Sequence, residues 1–289
     1  MASSQGKEAR TGWLLISPPA IYALLLLAAP LATVLIYSVL TGGRGEIGLP
    51  FTLSNFAELF QKPIYQSVML RSLYVSLAVT FVTVVLAYPI AYFVSFHVSP
   101  SKKALWLFLI TIPFWTSYVI RVALWRTILG YEGIVDSALI NIGVINEPLN
   151  ILSNGMLSMI ITLSHAYAPF AVLPIFVSLE KVDRSLLEAG QDLGESRLMT
   201  FIRVTLPLTM PGVIAAVLIV FIPTVGDYVT PELIGGGKVP LIANLIESQM
   251  LKIRDQAQGS AIAVAAMFVV GMVSLVFVLL NRRFLGGQK

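Results

Sequence analysis

The chain has no cysteine, which excludes disulfides, thiol catalysis and cysteine-ligated metals. It has only two histidines, His97 and His165, too far apart in sequence to read as a ligand pair, so no metal site is expected. Charge is scarce as well. Asp, Glu, Lys and Arg make up 12% of the residues, against roughly 25% in a soluble domain. That shortage excludes a single water-soluble globule. Low-complexity tracts and a polar domain are also missing. What is present is apolar: 57% of the residues are hydrophobic and the mean hydropathy is +0.85, which places the chain in a bilayer.

An apolar helix needs about 20 residues to cross the hydrocarbon core. Six segments qualify: Trp13–Leu40, Leu70–Phe96, Ala104–Leu129, Gly155–Leu179, Pro211–Ile234 and Gly259–Asn281. Each is expected to be helical, because an unpaired backbone cannot face lipid. The reading is an all-α, polytopic membrane protein whose residues 1–289 form one transmembrane domain. Charge orients it. With the N-terminus inside, eleven of nineteen basic and six of fifteen acidic residues fall on the cytoplasmic side, a net +5 against −1 opposite. Lys102, Lys103, Arg282 and Arg283 are the strongest local votes, and both termini are expected inside. Prolines recur within the spans, among them Pro30, Pro89, Pro113, Pro169 and Pro223. Each removes an amide donor and kinks its helix, which suits a bundle that opens and closes, although proline is common in membrane helices generally.

The longest polar interval between spans, residues 180–210, faces the cytoplasm in this orientation. It contains Glu188-Ala189-Gly190-Gln191-Asp192-Leu193-Gly194, then nine residues, then Val204-Thr205-Leu206-Pro207. Asp183 or Ser185 can cap a short helix through Leu193, with Ser185-x-x-Glu188 fitting a capping box. Gly194 can end that helix in the left-handed conformation. Leu186, Leu187, Ala189, Gly190 and Leu193 give it a small apolar surface; Glu188, Asp192 and Glu195 give it charge. A helix of this kind can enter a groove on another protein, or lie as an ordinary amphipathic helix at the interface.

The spacing resembles the EAA loop of ABC-importer permeases, whose outline is E-A-A, three residues, G, nine residues, I-x-L-P. Every gap matches; Gly190 replaces the second Ala and Val204 the Ile. Tyr88-Pro89-Ile90-Ala91-Tyr92, Ile112-Pro113-Phe114-Trp115-Thr116-Ser117, Trp125-Arg126 and the run from Phe221 to Gly236 are similar to permeases of the spermidine/putrescine type. Opine and aminoethylphosphonate importers share much of this pattern. The resemblance implies the type I importer permease fold in a bacterial inner membrane, with Glu188, Ala189, Gly190, Asp192, Leu193, Gly194, Leu206 and Pro207 coupling it to an ATPase. It implies a second, homologous but non-identical permease, two ATP-binding cassette subunits carrying ATP and magnesium, and a periplasmic or extracellular substrate-binding protein. Membrane lipid completes the expected surroundings, and no nucleic acid is expected.

The chain itself is expected to bind no cofactor and catalyse no bond-making chemistry. Its only glycine-rich basic run, Gly235-Gly236-Gly237-Lys238-Val239, has Val where a phosphate-binding loop needs the hydroxyl that holds magnesium. Charges near the spans give the candidates for a substrate pathway. Asp227 falls toward the outer end of the fifth span, with Tyr228 and Glu232 following on the same helix. A carboxylate there is costly and faces a cavity or a partner. Together with aromatic faces it suits a polyamine through charge pairing and cation–π contact. The alternative is a structural pair between Asp227 and Arg71, Arg121 or Arg126. Trp115 and Tyr118 are either pathway aromatics or packing, and His165 reads as a satisfied bundle histidine. A secondary transporter is the remoter function, but it would leave the 180–210 loop unexplained.

Overall fold

The computed structural model describes residues 2–43, 45–149, 151–234 and 238–285, so the Gly235–Gly237 run lies outside the described residues. By contacts the chain divides into two compact units: Met1–Pro63 with Ile246–Ala265, and Ile64–Leu245 with Ala266–Lys289. In the first unit, helix α1 (Ala2–Ser38) runs into an antiparallel hairpin, β1 (Leu40–Gly43) and β2 (Glu46–Phe51), followed by α2 (Ser54–Gln61). The hairpin departs from the all-helical expectation and ends the first helix at Ser38 rather than Leu40. Gly42, Gly43 and Gly45 supply the turn-forming residues there, and Gly45 has φ +87°.

Asn55 fastens this unit, its Nδ2 donating to the Ser38 and Leu40 carbonyls at 3.0 and 2.9 Å. The Gly45 amide donates to the Arg254 carbonyl at 2.9 Å. A Cβ on Gly42 would collide with Ala257, so only glycine lets the hairpin approach so closely.

The second unit holds the helical bundle. Helix α3 (Pro63–Phe96) belongs to it from Ile64 on and starts seven residues before the expected span at Leu70. Next come α4 (Pro100–Thr111), a 3₁₀ turn (Ile112–Trp115), α5 (Tyr118–Ile128) and α6 (Ile134–Asn141). The third span, expected as one helix over Ala104–Leu129, is therefore two arms meeting at 88°. Pro113 withholds an amide and Thr116 is extended, with ψ 147°, so the helical ladder stops there and does not merely kink.

Helix α7 (Gly155–Leu179) precedes α8 (Arg184–Asp192) and α9 (Arg197–Thr200). A π-type turn (Phe201–Thr205) then leads without a break into α10 (Leu206–Val225). The fifth span thus runs from Arg197 to Val225, not from Pro211 to Ile234. Leu206 and Pro207 are part of it, where a loop to residue 210 was expected. Pro207 stands where the π-type turn passes into α10. Short helices α11 (Val229–Leu233) and α12 (Ile242–Glu247) follow, then a π-type turn (Ser248–Ile253), α13 (Gln256–Leu280) and α14 (Arg282–Leu285).

Helices α3, α7 and α10 build the core of the second unit. Val75, Val79, Ala87, Ala91, Met159, Leu163, Ile175, Ala216 and Val220 are all buried in it. Helices α7 and α10 pack along each other. Their approach rests on Gly212, where a Cβ would run into the Pro174 carbonyl and the Ser178 side chain. Small interface residues are the usual means of close helix approach in a bilayer, where burial supplies no drive. Several buried hydroxyls are satisfied locally: Ser72, Thr80 and Thr83 donate to carbonyls four residues back at 2.6–2.8 Å. Tyr88 Oη and Thr209 Oγ1 join α3 to α10 at 2.7 Å.

Candidate functional site

The 180–210 segment begins with a capped, well-terminated helix. Asp183 is the N-cap residue of α8, its side chain accepting from the Ser185 amide at 3.0 Å. That bond holds the Asp183 carboxyl below its ordinary range. At the other end the Gly194 amide donates to the Gln191 carbonyl at 2.9 Å, and the Glu195 amide to the Gly190 carbonyl at 3.1 Å. Gly194 has φ +86°. This is the Schellman pairing, in which two otherwise orphaned carbonyls find donors.

Beyond it, Ser196 caps α9 through the Met199 amide at 3.3 Å, and Arg203 pairs with Glu195 at 2.7 Å. Gly190 lies against Thr200, where an added Cβ would come within 3.2 Å of Cγ2. The substitution of Gly for Ala in the motif thus sits where α8 and α9 are in close contact. Glu188, Ala189, Asp192 and Leu193 are exposed, Leu193 by 86%. Leu186, Leu198 and Met199 add further exposed apolar surface. Half-buried Leu187 and exposed Gln191 line an open cavity of about 420 Å³ with Tyr92, His97, Arg197 and Phe201.

The same helix is tied back to the bundle. Arg184, its first residue, donates through Nη2 to the Ser95 carbonyl at 3.3 Å and stands 5.7 Å from the centre of the Phe96 ring. Glu180, just past the end of α7, accepts from Lys103 Nζ at 2.6 Å and from Ser95 Oγ at 2.5 Å. Burial opposes ionisation of Glu180, but these donors win and hold its carboxyl below the usual range. Sequence reasoning missed this cluster. Lys103 and Glu180 both flank spans and so were visible as charges, but they are 77 residues apart and no spacing pattern links them.

The outer candidates divide differently. Asp227 is not within a helix: α10 has ended at Val225, and its carboxylate caps the following turn. Oδ1 accepts from the Val229 and Thr230 amides at 3.1 and 3.4 Å, while buried Oδ2 has no partner. The residue is 6% exposed. It pairs with none of the three arginines. Arg71 donates to the Pro240 carbonyl, and Arg121 to the Thr116 and Ala166 carbonyls. Arg126 is exposed.

Tyr118 Oη is 2.8 Å from Thr230 Oγ1, and both Tyr118 and Tyr167 lie within the field of the Asp227 carboxylate. Tyr228, 51% exposed, immediately precedes α11, and Glu232 is exposed within that helix, so the two are not on one continuous helix with Asp227. Trp115, 76% exposed, meets Phe108 edge-on and makes no described contact with the cluster. His165 accepts from Trp125 Nε1 at 3.1 Å. Thr230 and Tyr167 carry no charge or spacing that would have marked them in the sequence. Among the described residues no His, Asp and Glu group could hold a metal.

Comparison with known proteins follows the same lines. The spermidine/putrescine transport system permease protein PotB of Haemophilus influenzae is 38% identical over 259 residues, 88% of this chain and 90% of that one. PotB of Escherichia coli is 40% identical over 231 residues, 80% of this chain and 83% of that one. In fold, the chain is similar to a bacterial alginate ABC transporter solved in complex with an alginate-bound periplasmic protein. There the TM-score is 0.70 at 20% identity, with 96% of each chain covered. The family model described as "Binding-protein-dependent transport system inner membrane component" matches residues 51–285. The chain belongs to that family of inner membrane components: it is a multi-pass transport subunit of the type I ABC importer fold, and not an enzyme.

Proposed function

We propose that the chain forms, as one transmembrane permease domain, part of the translocation path of an ATP-driven polyamine importer, with spermidine and putrescine as substrates. The observation that carries this is identity of 38–40% to PotB permeases, extending over 80–88% of the chain. Its partners are a second, homologous but non-identical permease, a substrate-binding protein on the outer side, and two ATPase subunits that hold ATP and magnesium. Both termini and α8 lie in the cytoplasm. Glu188, Ala189, Gly190, Asp192, Leu193 and Gly194 dock on an ATPase, and Leu206 and Pro207 carry the movement into α10. The exposure of Glu188, Asp192 and Leu193 on a firmly capped helix supports that docking. Closure of the ATPases moves α8, and the bundle switches which side is open.

On the outer side Glu232 and Tyr228 receive the cation, with Trp115 and Tyr118 as aromatic faces and Asp227 behind them. The unpartnered Asp227 Oδ2 supports a place for this carboxylate on the path, since an unsatisfied buried oxygen is costly and an arriving ammonium would satisfy it. One experiment tests the substrate: purify the complex and measure which ligand, with its binding protein, stimulates ATP hydrolysis. Stimulation by spermidine or putrescine is expected. Stimulation by an opine or aminoethylphosphonate, but by neither polyamine, overturns the substrate. Proton-driven uptake without an ATPase overturns the class. For Asp227, Asn substitution keeps the shape and removes the charge. Uptake should fall while the complex remains stable; normal uptake by a stable Asp227→Asn complex removes it from the path.

A further inference from the structure

Covalently, α8 is joined only to α7 before it and to α9 after it. A displacement of α8 therefore reaches α7 and α10 through the chain, but not α3, α4 or α5. The cluster on Glu180 adds a direct polar route to the ends of α3 and α4, beside the packing of α3 on α7 and α10. Its carboxylate takes Ser95 Oγ from the end of α3 and Lys103 Nζ from the start of α4. Arg184, on the first turn of α8, grips the same end of α3 through the Ser95 carbonyl and the face of Phe96. That carbonyl belongs to the last turn of α3, where no intrahelical partner remains for it. The Lys103 side chain is only 14% exposed while that of Glu180 is 35% exposed, so the pair is sheltered on the lysine side and open to water on the other. Helix α4 then leads to the 88° elbow at Ile112–Ser117 and so to α5, which carries Tyr118.

We infer that Glu180, Lys103, Ser95 and Arg184 form a positioning clamp that passes movement of α8 into α3 and into the bent α4–α5 span. The clamp rests on the reading of α8 as the ATPase-docking helix. It predicts a particular failure when broken: ATP hydrolysis continues, but fewer substrate molecules cross per ATP.

The test uses the complete complex in proteoliposomes with its binding protein and spermidine, measuring uptake and ATP hydrolysis together. Glu180→Gln should lower uptake per ATP several-fold in an assembled complex, and Ser95→Ala, which removes one donor only, should lower it less. The exchange Glu180→Lys with Lys103→Glu should recover much of the ratio, which a merely destabilised protein would not do. Wild-type ratios in both Glu180→Gln and Ser95→Ala overturn the clamp. So does a Glu180→Gln protein that fails to assemble beside a Ser95→Ala protein at the wild-type ratio, because the cluster is then a folding brace. Gly194→Val is run alongside. If it loses stimulated hydrolysis and uptake while the clamp variants keep the wild-type ratio, only the clamp falls. If Gly194→Val also leaves both activities unchanged, the docking role of α8 falls with it.

Discussion

Gly194 shows how one residue sets the end of a functional helix. Its φ of +86° is open to glycine and strained for a β-branched side chain, at a cost of about 1–3 kcal/mol. Nothing lies within 4 Å of a Cβ placed there, so the cost is conformational and not a clash. Gly194→Val should therefore unwind the end of α8 while the protein still inserts, and binding-protein-stimulated ATP hydrolysis and uptake should both be largely lost. Wild-type stimulation in this variant would separate the Schellman end from coupling. Glu180 gives a pH-dependent counterpart. A carboxyl held low in the folded state contributes stability above its unfolded value near 4.5, and loses it as pH falls through the folded value. The difference in thermal stability between wild type and Glu180→Gln should be present at neutral pH and shrink below about pH 4.5. A difference that grew on acidification would contradict the Lys103–Glu180 pairing.

At the scale of elements, the helix pair α7 and α10 makes a sharp prediction. Gly212→Val would drive a side chain into the Pro174 carbonyl and Ser178. Overpacking of this kind costs about 1–3 kcal/mol, and the melting temperature of the solubilised complex should drop. Gly271→Ala on α13 meets nothing within 4 Å and should change stability by less than about 0.5 kcal/mol. Equal losses in the two variants would mean that the close approach at Gly212 is not what decides the stability of the pair. The elements also show what the sequence could tell. Apolar runs locate where lipid or bundle surrounds the chain, and each of the five helices long and apolar enough to span, with the bent pair as a sixth, overlaps one of those runs. Hydropathy does not mark where a helix starts or stops. Arg197 and Arg203 kept the fifth span from reading as continuous before Pro211, yet polar turns extend a membrane helix freely once it reaches water. Asp227 and the Thr230-Pro231-Glu232 stretch of α11 interrupt the apolar run, but apolar residues on either side let the span read as continuous to Ile234. Pro113 announced a disturbance but not its angle, which depends on the extended Thr116 as well.

For the whole molecule the question is orientation, and the absence of cysteine makes it simple to test. Each engineered thiol is the only one in the chain. The net +5 against −1 predicts that a cysteine at Lys238 reacts with an impermeant reagent in cells with an intact inner membrane and an accessible periplasm. One at Gln191 should stay protected until that membrane is opened. The reverse pattern would invert the topology and remove α8 from the ATPase side. The α7–α10 pairing also has a consequence for how the protein is made. Helix α7 has half of its apolar window covered by the rest of the fold and the lowest hydropathy, 1.7, of the unbroken spans. About 46 residues separate the end of α7 from the end of α10. At about 5–20 residues per second, the ribosome leaves α7 for several seconds without the helix it packs against most. During that interval buried hydroxyls of α7 such as Thr162 and Ser164 meet lipid or the insertion machinery in place of the finished bundle. The interval closes when α10 arrives and Gly212 lets it seat against Pro174 and Ser178.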